Sequence, residues 1–261
     1  MTPDDARRYG ISARIYVVTG TDTGVGKTVV TAALAATARA AGQRVAVLKP
    51  AQTGCPPVGA DSDDPPDTAE VTRLAGRVTE RELVRYREPL APATAARRLG
   101  EDGVAAARVV AEARRLASGH DLVLVEGAGG LLVRLNTQGE TIAEVADALA
   151  AEVLVVTRCE LGTLNATELT VEAARRRGLR IRGLVIGSWP ENPDVAQRCN
   201  RQELPEITGV PLLGVLPAGA ARLGREGFRD VAAALNVAAD HRPRPPADAV
   251  PRPHADRPGP C

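Results

Sequence analysis

The sequence predicts an α/β fold of three layers, a mostly parallel β-sheet with helices on both faces. Two observations predict it. Short, continuous runs of Val, Ile and Leu alternate with longer Ala-rich segments of helical period along most of the chain. Strands that read as unbroken apolar runs are those buried on both faces, the situation of parallel strands beneath crossover helices. The second observation is local: a β-branched run, Ile15 to Val18, passes through a Gly-rich loop directly into an Ala-rich helical run, Val29 to Ala41.

Taken in order, the expected strands cover residues 15–19, 44–48, 121–125, 152–156, 181–186 and 212–216. The expected helices cover 28–41, 67–75, 103–117, 141–150, 162–177, 194–204 and 226–236. Residues 1–14 read as a flexible polar extension and residues 15–239 as one domain. Residues 240–261, rich in Pro, Arg, Ala and Asp, read as a disordered tail that cannot bury a core. Ligands of such sheets bind outside the carboxyl ends of the strands. Chemistry is therefore expected in the loops after 15–19, 44–48, 121–125 and 181–186.

The first of these loops is the most informative: Thr19-Gly20-Thr21-Asp22-Thr23-Gly24-Val25-Gly26-Lys27-Thr28. Glycines let a backbone turn its N–H groups inward, and the N-terminus of the following helix adds positive potential for phosphate. Lys27 is placed to reach the β/γ-phosphates, and the Thr28 hydroxyl to ligate Mg²⁺. The spacing is Gly20-x5-Gly26-Lys27-Thr28, with Thr21 standing where the first Gly of G-x-x-x-x-G-K-T belongs. This deviant phosphate loop makes the expected architecture a P-loop NTPase-type fold and the expected ligand a nucleoside triphosphate.

Lysine usage singles out a second residue. Of 33 Lys and Arg, only Lys27 and Lys49 are lysine. Where any positive charge suffices this sequence uses Arg, so two positions have kept a compact, rotatable ammonium that a planar guanidinium does not replace. Lys49 opens Lys49-Pro50-Ala51-Gln52-Thr53-Gly54, read as a strand end turning into a loop on the phosphate-loop rim. An acidic stretch from Asp61 follows, ending at Asp67 at the mouth of a helix. Asp67 has two readings, a helix N-cap or a ligand of the site. After residues 121–125 comes Glu126-Gly127-Ala128-Gly129-Gly130, a strand-terminal carboxylate followed by small residues. Thr28, Asp67 and Glu126 together supply the hard oxygens that a Mg²⁺–triphosphate takes.

Composition narrows the classes. A formal net charge of +1 and 44% hydrophobic residues indicate neither disorder nor a nucleic-acid surface, and 2% aromatics argue against base-stacking platforms. Cys55, Cys159, Cys199 and Cys261 form no C-x-x-C pair, and His120, His241 and His254 are scattered, which argues against zinc or a disulfide framework. No apolar run reaches 18 residues and no charged-then-apolar leader is seen, so a cytoplasmic protein without membrane or nucleic-acid partners is expected.

Several of these motifs together resemble the dethiobiotin synthetase family. They are Thr19 to Thr28, Lys49-Pro50-x-x-Thr53-Gly54, Asp67, Glu126 to Gly130, Leu161-Gly162-Thr163-Leu164-Asn165 and Gly214-x-x-Pro217, in the family's order across residues 15–217. The resemblance implies an ATP-dependent ligase of biotin synthesis that carboxylates 7,8-diaminononanoate with CO₂ and closes a ureido ring through a carbamic–phosphoric anhydride. It implies Lys27 and Lys49 as catalytic lysines, Lys27 and the backbone of Gly24, Val25, Gly26, Thr28 and Val29 as the phosphate cradle, and Mg²⁺ on Thr28, Asp67 and Glu126. Gly127, Ala128 and Gly129, and on the far side Gly187, Ser188, Pro217, Ala218 and Gly219, are implied nucleotide contacts. Thr23, Thr53 and Asn165 are implied substrate contacts, with Asn165 serving the partner's site in a homodimer.

Gly187-Ser188 departs from the pattern, standing where many relatives carry an Asn-Asp pair that reads adenine. Two rival readings are an amido-ligase of the cobyrinate or cobyrate type and a ParA/MinD-like ATP switch. The first needs a glutamine-hydrolysing domain for which the chain has no room. The second needs a lysine where Asp22 stands.

Overall fold

A computed structural model describes residues 13–56 and 65–236. The tail expected over 240–261, the extension expected over 1–14 apart from Ala13 and Arg14, and residues 61–64 of the acidic stretch lie outside the described residues. Seven strands form one sheet: β1 (Arg14–Gly20), β2 (Val45–Thr53), β3 (Thr79–Tyr86), β4 (Leu122–Gly130), β5 (Glu152–Thr157), β6 (Arg180–Trp189) and β7 (Leu212–Pro217). Their order is β3-β2-β4-β1-β5-β6-β7, and every neighbouring pair is parallel. At the centre, Val17 of β1 registers with Val125 of β4 on one side and Val153 of β5 on the other. All the carboxyl ends thus point the same way, and the phosphate loop leaves the middle strand.

Among the described residues, eight α-helices cover the two faces. They are α1 (Lys27–Ala40), α2 (Asp67–Ala75), α3 (Pro92–Arg98), α4 (Ala106–Ala117), α5 (Ile142–Ala148), α6 (Thr163–Arg176), α7 (Val195–Thr208) and α8 (Arg225–Ala232). Alternation along β1 divides the core. Tyr16 and Val18 pack with Val30 and Leu34 of α1, Leu74 of α2 and Phe228 of α8. Val17 packs on the other face with Val109 of α4, Ile142 of α5, Val171 of α6 and Leu204 of α7. Burial of apolar side chains on both faces, at about 25 cal/mol per Å², is what makes continuous Val/Leu/Ile strands stable here.

The structure corrects several sequence expectations. The strand β3 and the helix α3 were not expected at all. β3 is an edge strand whose Thr79-Glu80-Arg81-Glu82 half is exposed or half-buried, so it carries charge where a central strand carries Val. Arg85 pairs with Glu82 at 2.7 Å and Arg81 with Glu112 of α4 at 2.8 Å, which accommodates those charges. α3 is only seven residues long and opens on Pro92, a first-turn proline whose missing N–H costs nothing there.

β2 and β4 also run further than expected. Lys49 to Thr53 is strand, not loop, although it contains Pro50. Pairing with β4 ends at Leu48, and the register with β3 passes from Lys49 to Ala51, so the proline interrupts no ladder bond. Glu126 to Gly130 likewise remain strand, with Gly130 in register with Gly20. α7 continues past Pro205 to Thr208 and stops at Gly209, in the left-handed conformation.

Candidate active site

The carboxyl ends of β1, β2 and β4 enclose a cavity of about 540 Å³. Of the expected residues, Thr23, Gly24, Gly26, Lys27, Thr28, Val29, Lys49, Thr53, Asp67, Glu126, Ala128 and Gly129 line it. The phosphate loop holds its shape by local rules. Gly24 and Gly26 have φ of 73° and 95°, values that only glycine takes freely, and Gly26 caps α1, whose first residue is Lys27. The Lys27 ammonium folds back to donate to the Asp22 carbonyl at 2.9 Å. Burial, together with the charge of Lys49, lowers its pKa from 10.5 to about 8.

Lys49 is the hub of the site. It is 4% exposed and donates to Glu126 Oε1 at 2.9 Å and to the Gly127 carbonyl at 3.3 Å, and it forms an ion pair with Asp67. Burial opposes its charge, but Glu126 and Asp67 outweigh that and hold the ammonium protonated, with a raised pKa. Burial opposes the Asp67 carboxylate too, yet Lys49 and the hydrogen bonds around it hold its pKa below the usual range. Glu126 is 1% exposed and accepts from Thr28 Oγ1 at 3.0 Å. Three separate chain segments thus present one Lys and two carboxylates beside the phosphate loop, with one negative charge in excess.

The two readings of Asp67 are now separated. The α2 N-cap is Pro66, with no side-chain cap, so Asp67 is a first-turn residue whose carboxylate turns to Lys49. The helix start is instead tied to β2 by Gln52, whose Oε1 accepts from the Asp67 N–H at 3.1 Å. That role of Gln52 has no signature in the sequence.

The donor set fits a divalent cation carried with a nucleotide. Glu126 Oε2 is buried and has no hydrogen-bond partner, and the Thr28 hydroxyl and Asp67 carboxylate face the same cavity. Among the described residues no three His, Cys, Asp or Glu side chains cluster as a ready-made metal cage. Two carboxylates and a hydroxyl suit Mg²⁺, which keeps waters and takes substrate phosphates as further ligands.

Other expected residues lie elsewhere. Val25, within the loop, is buried and does not line the cavity, and Gly127 contributes its carbonyl to Lys49. Gly187, Ser188, Pro217, Ala218 and Gly219 stand at the carboxyl ends of β6 and β7 and do not line the cavity; all but Gly187 are exposed. Asn165 is exposed in the first turn of α6, also outside it. Sequence reasoning missed the cavity's apolar wall, formed by Pro89 to Pro92 before and at the start of α3 and by Val133. It missed Arg158 as well, which follows β5 and reaches over the loop to Asp22 Oδ2 at 2.6 Å. Asp22, at the position where the ATP switches carry lysine, is thus an acceptor for an arginine.

Comparison with known proteins places the chain among sequence relatives. Residues 14–221 match the AAA domain family. The chain is 55% identical over 234 residues to the ATP-dependent dethiobiotin synthetase of Streptomyces coelicolor, covering 90% of this chain and 93% of that one. It is 60% identical over 220 residues to the ATP-dependent dethiobiotin synthetase of Saccharopolyspora erythraea, covering 84% and 94%. Among solved structures, the septum site-determining protein MinD of Pyrococcus horikoshii with Mg-ADP superposes with a TM-score of 0.52. That match covers 86% of this chain and 94% of that one at 16% identity, a likeness of fold alone.

Proposed function

The chain belongs to the dethiobiotin synthetase family, and from that premise we propose that it converts 7,8-diaminononanoate, CO₂ and ATP to dethiobiotin, ADP and phosphate. The observation that carries this reading is the buried Lys49–Asp67–Glu126 cluster set against the phosphate loop in one cavity. A phosphoryl transfer to a carbamate needs fixed cations and hard-oxygen ligands for a metal at one place, and the ammoniums of Lys27 and Lys49 with the carboxylates of Asp67 and Glu126 put both in this cavity.

One amine of the substrate attacks CO₂ and loses a proton, giving a carbamate. A carbamate oxygen takes the γ-phosphoryl group from ATP, releasing ADP and leaving a mixed carbamic–phosphoric anhydride. The second amine then attacks the carbonyl carbon, phosphate departs, and the five-membered cyclic urea closes. The chain's own residues divide this work. Lys27 and the N–H groups of residues 24–29 bind the triphosphate, while Lys49 stabilises negative charge on the carbamate and the moving phosphoryl group. Thr23 and Thr53 orient the amines, and the apolar wall of Pro89 to Pro92 and Val133 excludes water from the anhydride. Thr28, Asp67 and Glu126 would hold Mg²⁺, which when bound neutralises charge on the β- and γ-phosphates.

Asn165 and the exposed Leu161, both outside this cavity, support a homodimer in which this segment serves the partner's substrate. Among the described residues no helix is long and apolar enough to cross a membrane. The deciding experiment follows ADP release and dethiobiotin mass with and without the diamine and bicarbonate. Turnover is expected only with both present. ATP hydrolysis indifferent to the diamine, or stimulated instead by DNA or lipid vesicles, would overturn the assignment.

A further inference from the structure

At Gly187 the carboxyl end of β6 lies directly against the backbone of the phosphate loop. A Cβ built on Gly187 would stand 2.0 Å from the Val25 carbonyl oxygen, 3.0 Å from Val156 Cγ1 and 3.1 Å from Gly26 Cα. Reciprocally, a Cβ on Gly26 would stand 2.9 Å from the Gly187 carbonyl oxygen. Two peptide segments distant in sequence are in contact where no side chain fits between them, which is the use of glycine at close backbone approach. The contact falls on Val25 and Gly26, the two residues whose backbone leads into Lys27 and the N-terminus of α1. Val156 of β5 closes the third side, so the loop rests on a floor made by two strands.

We propose that Gly187 is a positioning residue for the phosphate loop: the bare backbone of β6 braces Val25 and Gly26 and thereby sets where the triphosphate lies. The position that the family resemblance assigns to base reading here serves the phosphates. Any side chain at 187 has its first carbon inside the Val25 carbonyl, so the loop must lift or β6 must retreat. In catalytic sites a misplacement of about 1 Å can cost on the order of 10²-fold in rate, and that sets the scale for a displaced phosphate loop.

The inference rests on the reading of this loop as a triphosphate site, and the experiment separates the two. Binding of Mg-ATP and of Mg-tripolyphosphate, which has no base, is measured for the wild type and for Gly187→Ala, with thermal melting to establish folding. Wild-type protein that binds neither ligand would sink the triphosphate reading itself. With the wild type binding both, the brace predicts that Gly187→Ala weakens both by the same factor, about 10- to 100-fold. Loss confined to Mg-ATP would make Gly187 a base contact, and unchanged affinity for both would show the contact to be slack. Either result overturns the brace. Should the variant fail to fold, hydrogen exchange on the wild type decides. Saturating Mg-tripolyphosphate should slow exchange in the peptide containing Gly187 and Ser188 as well as in the phosphate loop, and unaltered exchange at 187–188 would overturn the proposal.

Discussion

The two ends of the sheet's carboxyl rim are built differently. At the ends of β1, β2 and β4 the side chains are charged: Lys27, Lys49 and Glu126 are buried and Asp67 half-buried, and Lys49 is bonded to both carboxylates. At the ends of β6 and β7 the residues are Gly187, Ser188, Pro217, Ala218 and Gly219, with little side chain to offer, and most are exposed. Buried charges persist only as a neutralised set, because one left unpaired costs several kcal/mol. A substitution among them therefore disturbs every partner. The β6–β7 end works through backbone and shape, where a polar substitution meets solvent. Buried charge lies where phosphoryl transfer is expected.

The sharpest way to break this contrast is Lys49→Arg. Charge is kept, but the ammonium's bonds to Glu126, Gly127 and Asp67 require a compact donor, and the site is too enclosed for a larger planar fork. Turnover is expected to fall about 10²- to 10³-fold, the size of one lost electrostatic contact in a transition state, while nucleotide binding and fold are retained. Steady-state kcat and a nucleotide titration on the same preparation measure both halves. Turnover within threefold of the wild type would remove Lys49 from catalysis.

A smaller effect is expected at the other end. If the base lies at this end as proposed, no side chain at Gly187 can read it without moving Val25, and shape alone discriminates by about 10² where a hydrogen-bonding site reaches 10⁴–10⁵. CTP and GTP should therefore support dethiobiotin formation within roughly a hundredfold of ATP in kcat/KM at saturating Mg²⁺. A preference for ATP above about a thousandfold would mean that this end reads the base closely and that the contrast is overdrawn.

The charged half was also the legible half. Phosphate chemistry demands particular residue types at strand ends, so the loop, Lys49 and Glu126 stand out in the bare sequence. Asp67 did not resolve there, because a carboxylate at a helix mouth is ordinarily a cap. Only the placement of Pro66 at that cap and the ion pair to Lys49 separate the two readings. The apolar wall from Pro89 to Pro92 was illegible, since Pro, Leu and Ala before a short helix carry no chemical signature. β3 was hidden by its charges, and the extensions of β2 and β4 by Pro50 and the run of glycines, which read as loop signals when their pairing partners are unknown. Gly187 was legible only as a departure. What its absent side chain avoids appears once the phosphate loop lies against it.

The smallest effect tests the buried charges through protons. Lys27 has a folded pKa of about 8 against an ordinary 10.5, with burial as the first cause and Lys49 the second. For a lysine depressed in this way, the unfolded chain binds the proton more tightly than the folded one. Its penalty on stability is fully present below pH 8 and is relieved as pH rises from 8 toward 10.5, by up to about 1.4 kcal/mol per pH unit. A triphosphate beside the ammonium favours the charged form and raises the pKa again. Binding of Mg-ATP at pH 8, where about half of Lys27 is neutral, should then take up about half a proton, and affinity should decline as pH rises further. At pH 6.5 the uptake should vanish, because Lys27 is already charged. Calorimetric titrations in buffers of different ionisation enthalpy read the proton count directly. A count near zero at pH 8 would mean that Lys27 stays fully protonated despite its burial and the neighbouring Lys49, and that the charge of the β1–β2–β4 end is screened better than its geometry implies.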